Sequence, residues 1–382
     1  MTPRSGEPAE WLVATGDFTP LGGMDRANYA LADHLAARGD VVHLVAHRVA
    51  SELAGRPGVF VHRVPRPFGA HLVGAPLLAR AAARERRALP PRARVLMNGG
   101  NGIDGVPTWV HYLHAAYAPE VAVSLRTRVS ASAGRRYYLA REAAALGSAP
   151  LVICNSRVTA DDVRRHYGVA AKTAVVYYGV DATAFGPAGE DERRAARAAL
   201  GLDADRPVAI FVGALGDRRK GFDLLFEAWR SLSARGNWEA SLIVAGAGAE
   251  RDAWAARANA AGLRGLHVLG FRTDIAALLA AADVLVHPAR YEAYGLGVHE
   301  AICRGVPAIV SATAGVAERF PPDLAPLLLP AGATAEDVAA ALLRWHADAH
   351  GWRARIAALS AAFRARTWDH MAAEIAAAVE AA

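Results

Sequence analysis

Short runs rich in Val, Ile and Leu recur along the chain, separated by longer stretches with apolar residues at helical spacing. In the first half, the runs Trp11–Ala14, Val41–Ala46, Val59–Val61, Val95–Met97, Trp109–His111, Leu151–Cys154 and Ala174–Tyr177 predict strands. Between them, Met24–Arg38, Leu72–Leu89, Val121–Leu146 and Thr159–Tyr167 predict helices. The runs are apolar throughout and do not alternate, which marks strands buried on both faces of a parallel sheet. The pattern then restarts, with strands at Val208–Val212, Leu242–Ala245, His267–Leu269, Val284–Val286 and Ala308–Val310. After the first of these, Phe222, Leu225, Phe226 and Trp229 fall on one helical face. Two successive βα series predict an α/β protein of two doubly wound, Rossmann-like domains. The turn-rich segment Gly179–Pro187 reads as the hinge between them. The expected division is residues 1–180, 181–365, and a final helix over 366–382. Ligands of doubly wound sheets bind outside the carboxyl ends of the strands, so a cleft between two facing domains is the expected site.

Composition fits this picture. The 382 residues are 53% hydrophobic and 21% charged, a globular balance with room for two cores. No apolar run reaches the roughly 18 to 20 residues of a membrane span, and the first residues lack a signal-peptide pattern, so a cytoplasmic location is expected. Cys154 and Cys303 lie far apart in apolar contexts and read as reduced core thiols. The net charge of +6 is unevenly placed: residues 1–185 carry net +8, residues 186–382 net −2. A basic half can steer an acidic small molecule or an anionic membrane surface toward it. Arg80, Arg84, Arg86, Arg87, Arg92 and Arg94, with Arg126, Arg128, Arg135, Arg136 and Arg141, are the residues such a peripheral association would use. No zinc, ribonucleoprotein or helix-turn-helix signature accompanies them, so nucleic acid is not an expected partner.

Four segments carry chemistry. In residues 284–311 a buried strand ends at His287-Pro288, a loop follows, and a helix starts near Gly295–Gly297. Free N–H groups at such a start suit a phosphate, while Glu292 and Glu300 suit the hydroxyls of a sugar and a ribose. In the second segment, Val212–Gly221, the basic residues Arg218, Arg219 and Lys220 feed a helix N-terminus. Cations there form a clamp for a diphosphate. Lys220 is one of two lysines, the other 41 basic residues being arginine. Third, strand Trp11–Ala14 runs into Gly22-Gly23 before a helix. Fourth, Trp109–Tyr117 places His111 and His114 after the fifth strand.

Together these segments resemble the retaining glycosyltransferases of family 4, which have the GT-B fold. The run Pro288…Glu292-Ala293-Tyr294-Gly295-Leu296…Glu300 is similar to the family's E-x7-E donor signature, with Ala293 where a Gly is usual. Leu151–Ser156, Tyr178–Asp181, Ile243–Gly248, Gly270–Thr273 and Thr367–Asp369 resemble further family segments, so the likeness spans nearly the whole chain. It implies catalytic roles for His114, Glu292, Arg219 and Lys220, with His114 favoured over His111 because the latter falls on the strand. Many relatives carry Arg where Ala214 stands, and Arg219, with Arg218 beside it, takes that role here. The likeness further implies donor contacts from Gly22, Gly23, Gly213, Arg218, Arg272, Tyr294, Gly295, Leu296 and Glu300, the last gripping the ribose. Asp17, Asn98, Asn101, Tyr112 and Tyr117 are the implied acceptor residues.

The implied reaction moves a sugar from a nucleotide-diphosphate sugar, such as a UDP- or GDP-sugar, to a glycan, lipid or small-molecule acceptor. No metal and no further cofactor is expected. The departing phosphate oxygen takes the acceptor proton on the face it leaves, with the enzyme supplying position and charge. Two alternatives remain open at this stage: a sugar-nucleotide epimerase of the same fold, and a non-catalytic nucleotide-sugar-binding protein.

Overall fold

The computed structural model describes residues 8–118, 125–169, 172–216 and 218–382; side chains of 125–133 are not described. The chain forms two compact units. One comprises Met1–Ala116, Val123–Gly179 and Thr367–Ala382; the other comprises Tyr117–Ala122 and Val180–Arg366.

The first unit is built on strands β1 (Glu10–Ala14), β2 (Asp17–Phe18), β3 (Val41–Ala46), β4 (Arg48–Val49), β5 (Val59–Arg63), β6 (Arg94–Asn98), β7 (Thr108–Val110), β8 (Leu151–Cys154) and β9 (Lys172–Val175). Seven of them make one sheet in the order β5-β3-β1-β6-β7-β8-β9, and β2 pairs with β4 in a separate two-stranded sheet. Every pairing in the seven-stranded sheet is parallel; β1 sits centrally, with Val13 opposite Leu44 on one side and Leu96 on the other. Trp11, Leu12, Val13 and Ala14 are wholly buried, as a strand covered on both faces must be. Two strands depart from the sequence expectation. The expected Ala174–Tyr177 strand sits two residues earlier, and β7 ends at Val110, leaving His111 just beyond it. Helix Met24–Ala37 starts after Gly22, whose φ of +82° favours glycine. Helix Leu125–Ser148 covers most of the expected Val121–Leu146, whose first four residues lie outside the described residues. Helix Arg157–Tyr167 opens on Ser156, whose hydroxyl accepts from the Thr159 N–H at 3.0 Å, and closes on Gly168 at φ +58°.

The terminal helix Trp368–Glu380 belongs to this same unit and packs along Met24–Ala37. A capping box of Thr367 and His370 starts it. His34 meets Asp369 at 2.5 Å and Arg38 meets Glu380 at 2.7 Å.

The second unit continues with β10 (Val208–Val212), β11 (Ser241–Ala245), β12 (Leu266–Gly270), β13 (Val284–His287), β14 (Ala308–Ser311) and β15 (Leu328–Leu329). They form one parallel sheet ordered β12-β11-β10-β13-β14-β15. The order reverses at β10, whose neighbours are β11 and β13, so the loops after β10 and β13 leave at the switch point. Helix Phe222–Ser233 buries Phe222, Leu225, Phe226 and Trp229 against the sheet. Arg197, 1% exposed, pairs with buried Asp283 and donates to the carbonyls of Ala281, Ala204 and Arg206, so this interior charge is fully hydrogen-bonded.

Candidate active site

In the second unit, the β10 and β13 loops bring the donor-signature residues together. Lys220 closes a short 3₁₀ turn, Arg218–Lys220, and its ammonium pairs with the Glu292 carboxylate. The buried His287 imidazole donates from Nε2 to the same Glu292 oxygen at 2.9 Å. Burial alone would raise the Glu292 carboxyl; the Lys220 charge and the His287 hydrogen bond outweigh it and hold the group well below the carboxylate range. Burial pulls His287 below its ordinary value, so it is a neutral donor. The result is a charged carboxylate held by one ammonium and one imidazole.

Glycines let the loops approach this closely. A Cβ on Gly221 would lie 1.9 Å from the Pro288 carbonyl oxygen, and the residue sits at φ +72°. Gly246 packs so tightly under Gly213 that a Cβ would come within 1.8 Å of its carbonyl oxygen. Gly213 itself lies beside the Phe211 ring and the Lys220 stem.

Gly295, at φ +105°, precedes helix Leu296–Cys303, and its carbonyl accepts from the N–H groups of Val298 and His299 at 3.0 and 3.1 Å. Glu300 lies in the second turn of this helix, half-buried. The Tyr294 side chain turns into the core, its hydroxyl bonded to His299 Nδ1 at 2.7 Å and to Arg319 at 3.1 Å. Its backbone carbonyl accepts from the Val316 N–H at 2.6 Å. Arg219 donates to the Tyr291 carbonyl at 3.3 Å, and Arg218 is exposed. Asp217 lies outside the described residues. Arg272 forms a two-pronged pair with Asp274, at 2.7 and 2.5 Å, ahead of helix Ile275–Ala281.

Sequence reasoning passed over Arg290. It grips both Asp223 carboxylate oxygens at 2.8 Å, donates to the Arg218 carbonyl at 2.7 Å, and gives its backbone N–H to the Arg219 carbonyl at 2.8 Å. One arginine thus fixes the basic turn against the helix that follows it.

The first unit contains a cavity of about 350 Å³. Asn98, Asn101, Tyr112 and His114 line it, with Trp109, His111, Tyr138 and Glu142. Asn98 is 2% exposed and its amide donates to Thr15 and Asn28, so it also ties β6 to β1. Asp17 lies off the lining, buried and paired with Arg48 at 2.6 Å. Its neighbour Asp25, in the first turn after Gly22-Gly23, has a carboxyl raised to about 6 by burial and by the Asp17 charge. Tyr117 groups with the second unit, its ring stacked on Tyr291 at 6.2 Å. His111 is buried; burial lowers it to about 3, and its Nδ1 meets the Tyr178 hydroxyl at 2.5 Å.

Among the arginines of the basic half, several are engaged: Arg84 with Glu85, Arg86 with the carbonyls of Pro90 and Pro91, Arg141 with Asp104. Arg80, Arg87 and Arg136 are exposed, and the side chains of Arg126 and Arg128 lie outside the described residues.

Two family models match the chain: glycosyltransferase family 4 over residues 21–184, and glycosyl transferases group 1 over residues 206–348. The chain belongs to the family 4 glycosyltransferases of the GT-B fold. It is similar to D-inositol 3-phosphate glycosyltransferase of Geodermatophilus obscurus, 29% identical over 97% of this chain and 92% of that one. A 100-residue stretch is 39% identical to the lipopolysaccharide glucosyltransferase WaaG of Escherichia coli, 26% of each chain. The fold matches the crystal structure of WaaG with a TM-score of 0.74 at 21% identity, covering 95% of this chain and 98% of WaaG. It matches HepE of Anabaena, crystallised with UDP and glucose, with a TM-score of 0.70 at 20% identity, over 98% of this chain and all of that one (100%).

Proposed function

We propose that this glycosyltransferase takes its sugar from a nucleotide diphosphate, without a metal and with retention at the anomeric carbon. The observation that carries this reading is the Lys220–Glu292–His287 cluster at the switch point of the second sheet. HepE, of the same fold, has been crystallised with UDP-glucose, and this supports a nucleotide-sugar donor. In this reading Lys220 and Arg219 offset the charge that builds on the leaving diphosphate, the role a metal plays elsewhere. The amides of Gly295 and Leu296 meet the diphosphate or sugar, as helix starts do for anions. Glu292 accepts from sugar hydroxyls and Glu300 from the ribose. In the first unit, Gly22 and Gly23 carry a donor-binding role and His114 a catalytic one in this reading. The first unit's cavity takes the acceptor; its 350 Å³ falls at the low end of ligand pockets, about 300–1,000 Å³, the size of a compact polar head group. The leaving phosphate oxygen receives the acceptor proton on the face it departs from, so configuration is kept. The exposed arginines of the first unit, Arg80, Arg87 and Arg136, face an anionic lipid surface in this reading.

The test is a panel of UDP-, GDP- and ADP-sugars with the purified protein in chelator, following nucleotide release and the anomeric configuration of any product. Glu300→Gln should raise donor KM at least tenfold with little change in kcat. Unchanged donor binding in that variant, or a product of inverted configuration, would refute the assignment.

A further inference from the structure

Within the first unit's cavity, one side chain is held far more tightly than the chemistry so far requires. Both His114 Nδ1 and the His114 backbone N–H meet Glu142 Oε1, the latter at 2.9 Å. The other oxygen, Oε2, accepts from the Tyr167 hydroxyl at 2.8 Å. Glu142 is 4% exposed and lines the cavity. The His114 ring lies flat on Tyr138, centroids 4.8 Å apart and planes 8° apart, and edge-on to Tyr112 at 5.1 Å. Its side chain is nevertheless 39% exposed.

We infer that Glu142 and Tyr167 are positioning residues that fix His114 as its Nδ1–H tautomer and present a bare Nε2 to a substrate hydroxyl in the cavity. The inference rests on the proposed sugar transfer for its use, and on geometry for the tautomer. Three donors converge on one carboxylate, two on Oε1 and one on Oε2, so both oxygens are acceptors and the imidazole proton must sit on Nδ1. Burial and the bond to Glu142 raise the Tyr167 phenol well above its ordinary value, so it stays a donor throughout the working range. With Nδ1 committed, the one polar atom His114 can offer is the Nε2 lone pair, an acceptor. An acceptor at that point selects a hydroxyl and rejects a bare phosphate or carboxylate oxygen, which brings no proton. His111, on the same wall, carries no such constraint, because the Tyr178 hydroxyl facing its Nδ1 can donate or accept.

The full chain labelled with ¹⁵N-histidine tests this directly. Two-bond ¹H–¹⁵N correlation at neutral pH should show His114, assigned through its loss in His114→Asn, protonated at Nδ1 and bare at Nε2. Glu142→Gln, which keeps an acceptor oxygen, should retain that tautomer. Glu142→Ala should release the ring to the Nε2–H form that free imidazole prefers. A wild-type His114 protonated at Nε2, or a tautomer that does not respond to Glu142→Ala, overturns the relay. With UDP-glucose as probe and water or a sugar as acceptor, His114→Asn should lower kcat about 100-fold and Glu142→Gln about tenfold, with donor KM changed less than threefold. A correct tautomer with kcat insensitive to both variants refutes its use in transfer. Wild-type protein that consumes no nucleotide sugar counts against the proposed function, and the tautomer measurement then judges the relay alone.

Discussion

Removing the Lys220 ammonium should destabilise the second unit, and the size of the effect follows from the surroundings of Glu292. Lys220 and Glu292 side chains are 18% and 12% exposed, so the pair is mostly removed from water. The third member, His287, is neutral through burial and contributes a hydrogen bond without a charge. In Lys220→Met the carboxylate must either stay ionised with less compensation or take up a proton. Breaking a buried pair by removing one partner costs about 3–5 kcal/mol; residual solvent contact and nearby Arg219 reduce the expectation to about 2–3 kcal/mol. Glu292→Gln should cost about 1–2 kcal/mol, since the amide keeps an acceptor for His287. The double variant should come close to the wild type, a coupling of about 3 kcal/mol. Urea unfolding followed by tryptophan fluorescence is the assay; Trp229, Trp238, Trp254, Trp345 and Trp352 lie in this unit, against three tryptophans in the other. The Glu292 carboxyl is depressed in the fold, so its contribution is present above the unfolded value near 4.5 and is lost as pH falls below it. The acid limb of stability should therefore flatten in Lys220→Met. A single variant within 0.5 kcal/mol of wild type, or a cycle without coupling, refutes the reasoning.

Two further outcomes follow from the geometry. Gly221→Ala places a methyl 1.9 Å from the Pro288 oxygen in a left-handed conformation and should cost about 3 kcal/mol, read as a fall in thermal midpoint; an unshifted midpoint would show the β10 and β13 loops to be loosely apposed. Asp25, raised from 3.8 to about 6, binds its proton more tightly folded than unfolded, so it favours the fold below about pH 4 and costs stability above about pH 6. Two pKa units correspond to about 3 kcal/mol, cut to about 1–2 by partial exposure. Asp25→Asn should accordingly stabilise the protein at pH 7 and not at pH 4, and equal gains at both would contradict this account.

The sheets were legible because parallel strands leave an uninterrupted apolar run, and Val41–Ala46, Leu151–Cys154 and Val208–Val212 were read to the residue. Two-residue strands such as β2, β4 and β15 leave no run to read. At the site, spacing pointed to Lys220, Glu292 and Glu300, because a loop and a helix start keep those residues local. It could not show that Tyr294 faces the core, since the turn at Gly295 sets the side-chain direction there. Arg290 and Asp223, 67 positions apart, and His114 and Glu142, 28 apart, meet only after the chain has folded. Asn98 illustrates a different gap: a polar residue at a strand end reads as a ligand contact, yet its amide donors are spent on Thr15, just after β1, and on Asn28 of helix Met24–Ala37.

The last helix gives the molecule an unusual birth order. Translation delivers the second unit's Val180–Arg366 whole, while the first unit still lacks Thr367–Ala382. Until those residues leave the ribosome, the flank of Met24–Ala37 that they cover is bare, and His34 and Arg38 lack Asp369 and Glu380. The half of the protein made first is thus the half finished last, and a nascent chain stalled before Thr367 would display an apolar flank that quality-control factors can recognise. Closure of the first unit thereby waits on the arrival of Thr367–Ala382.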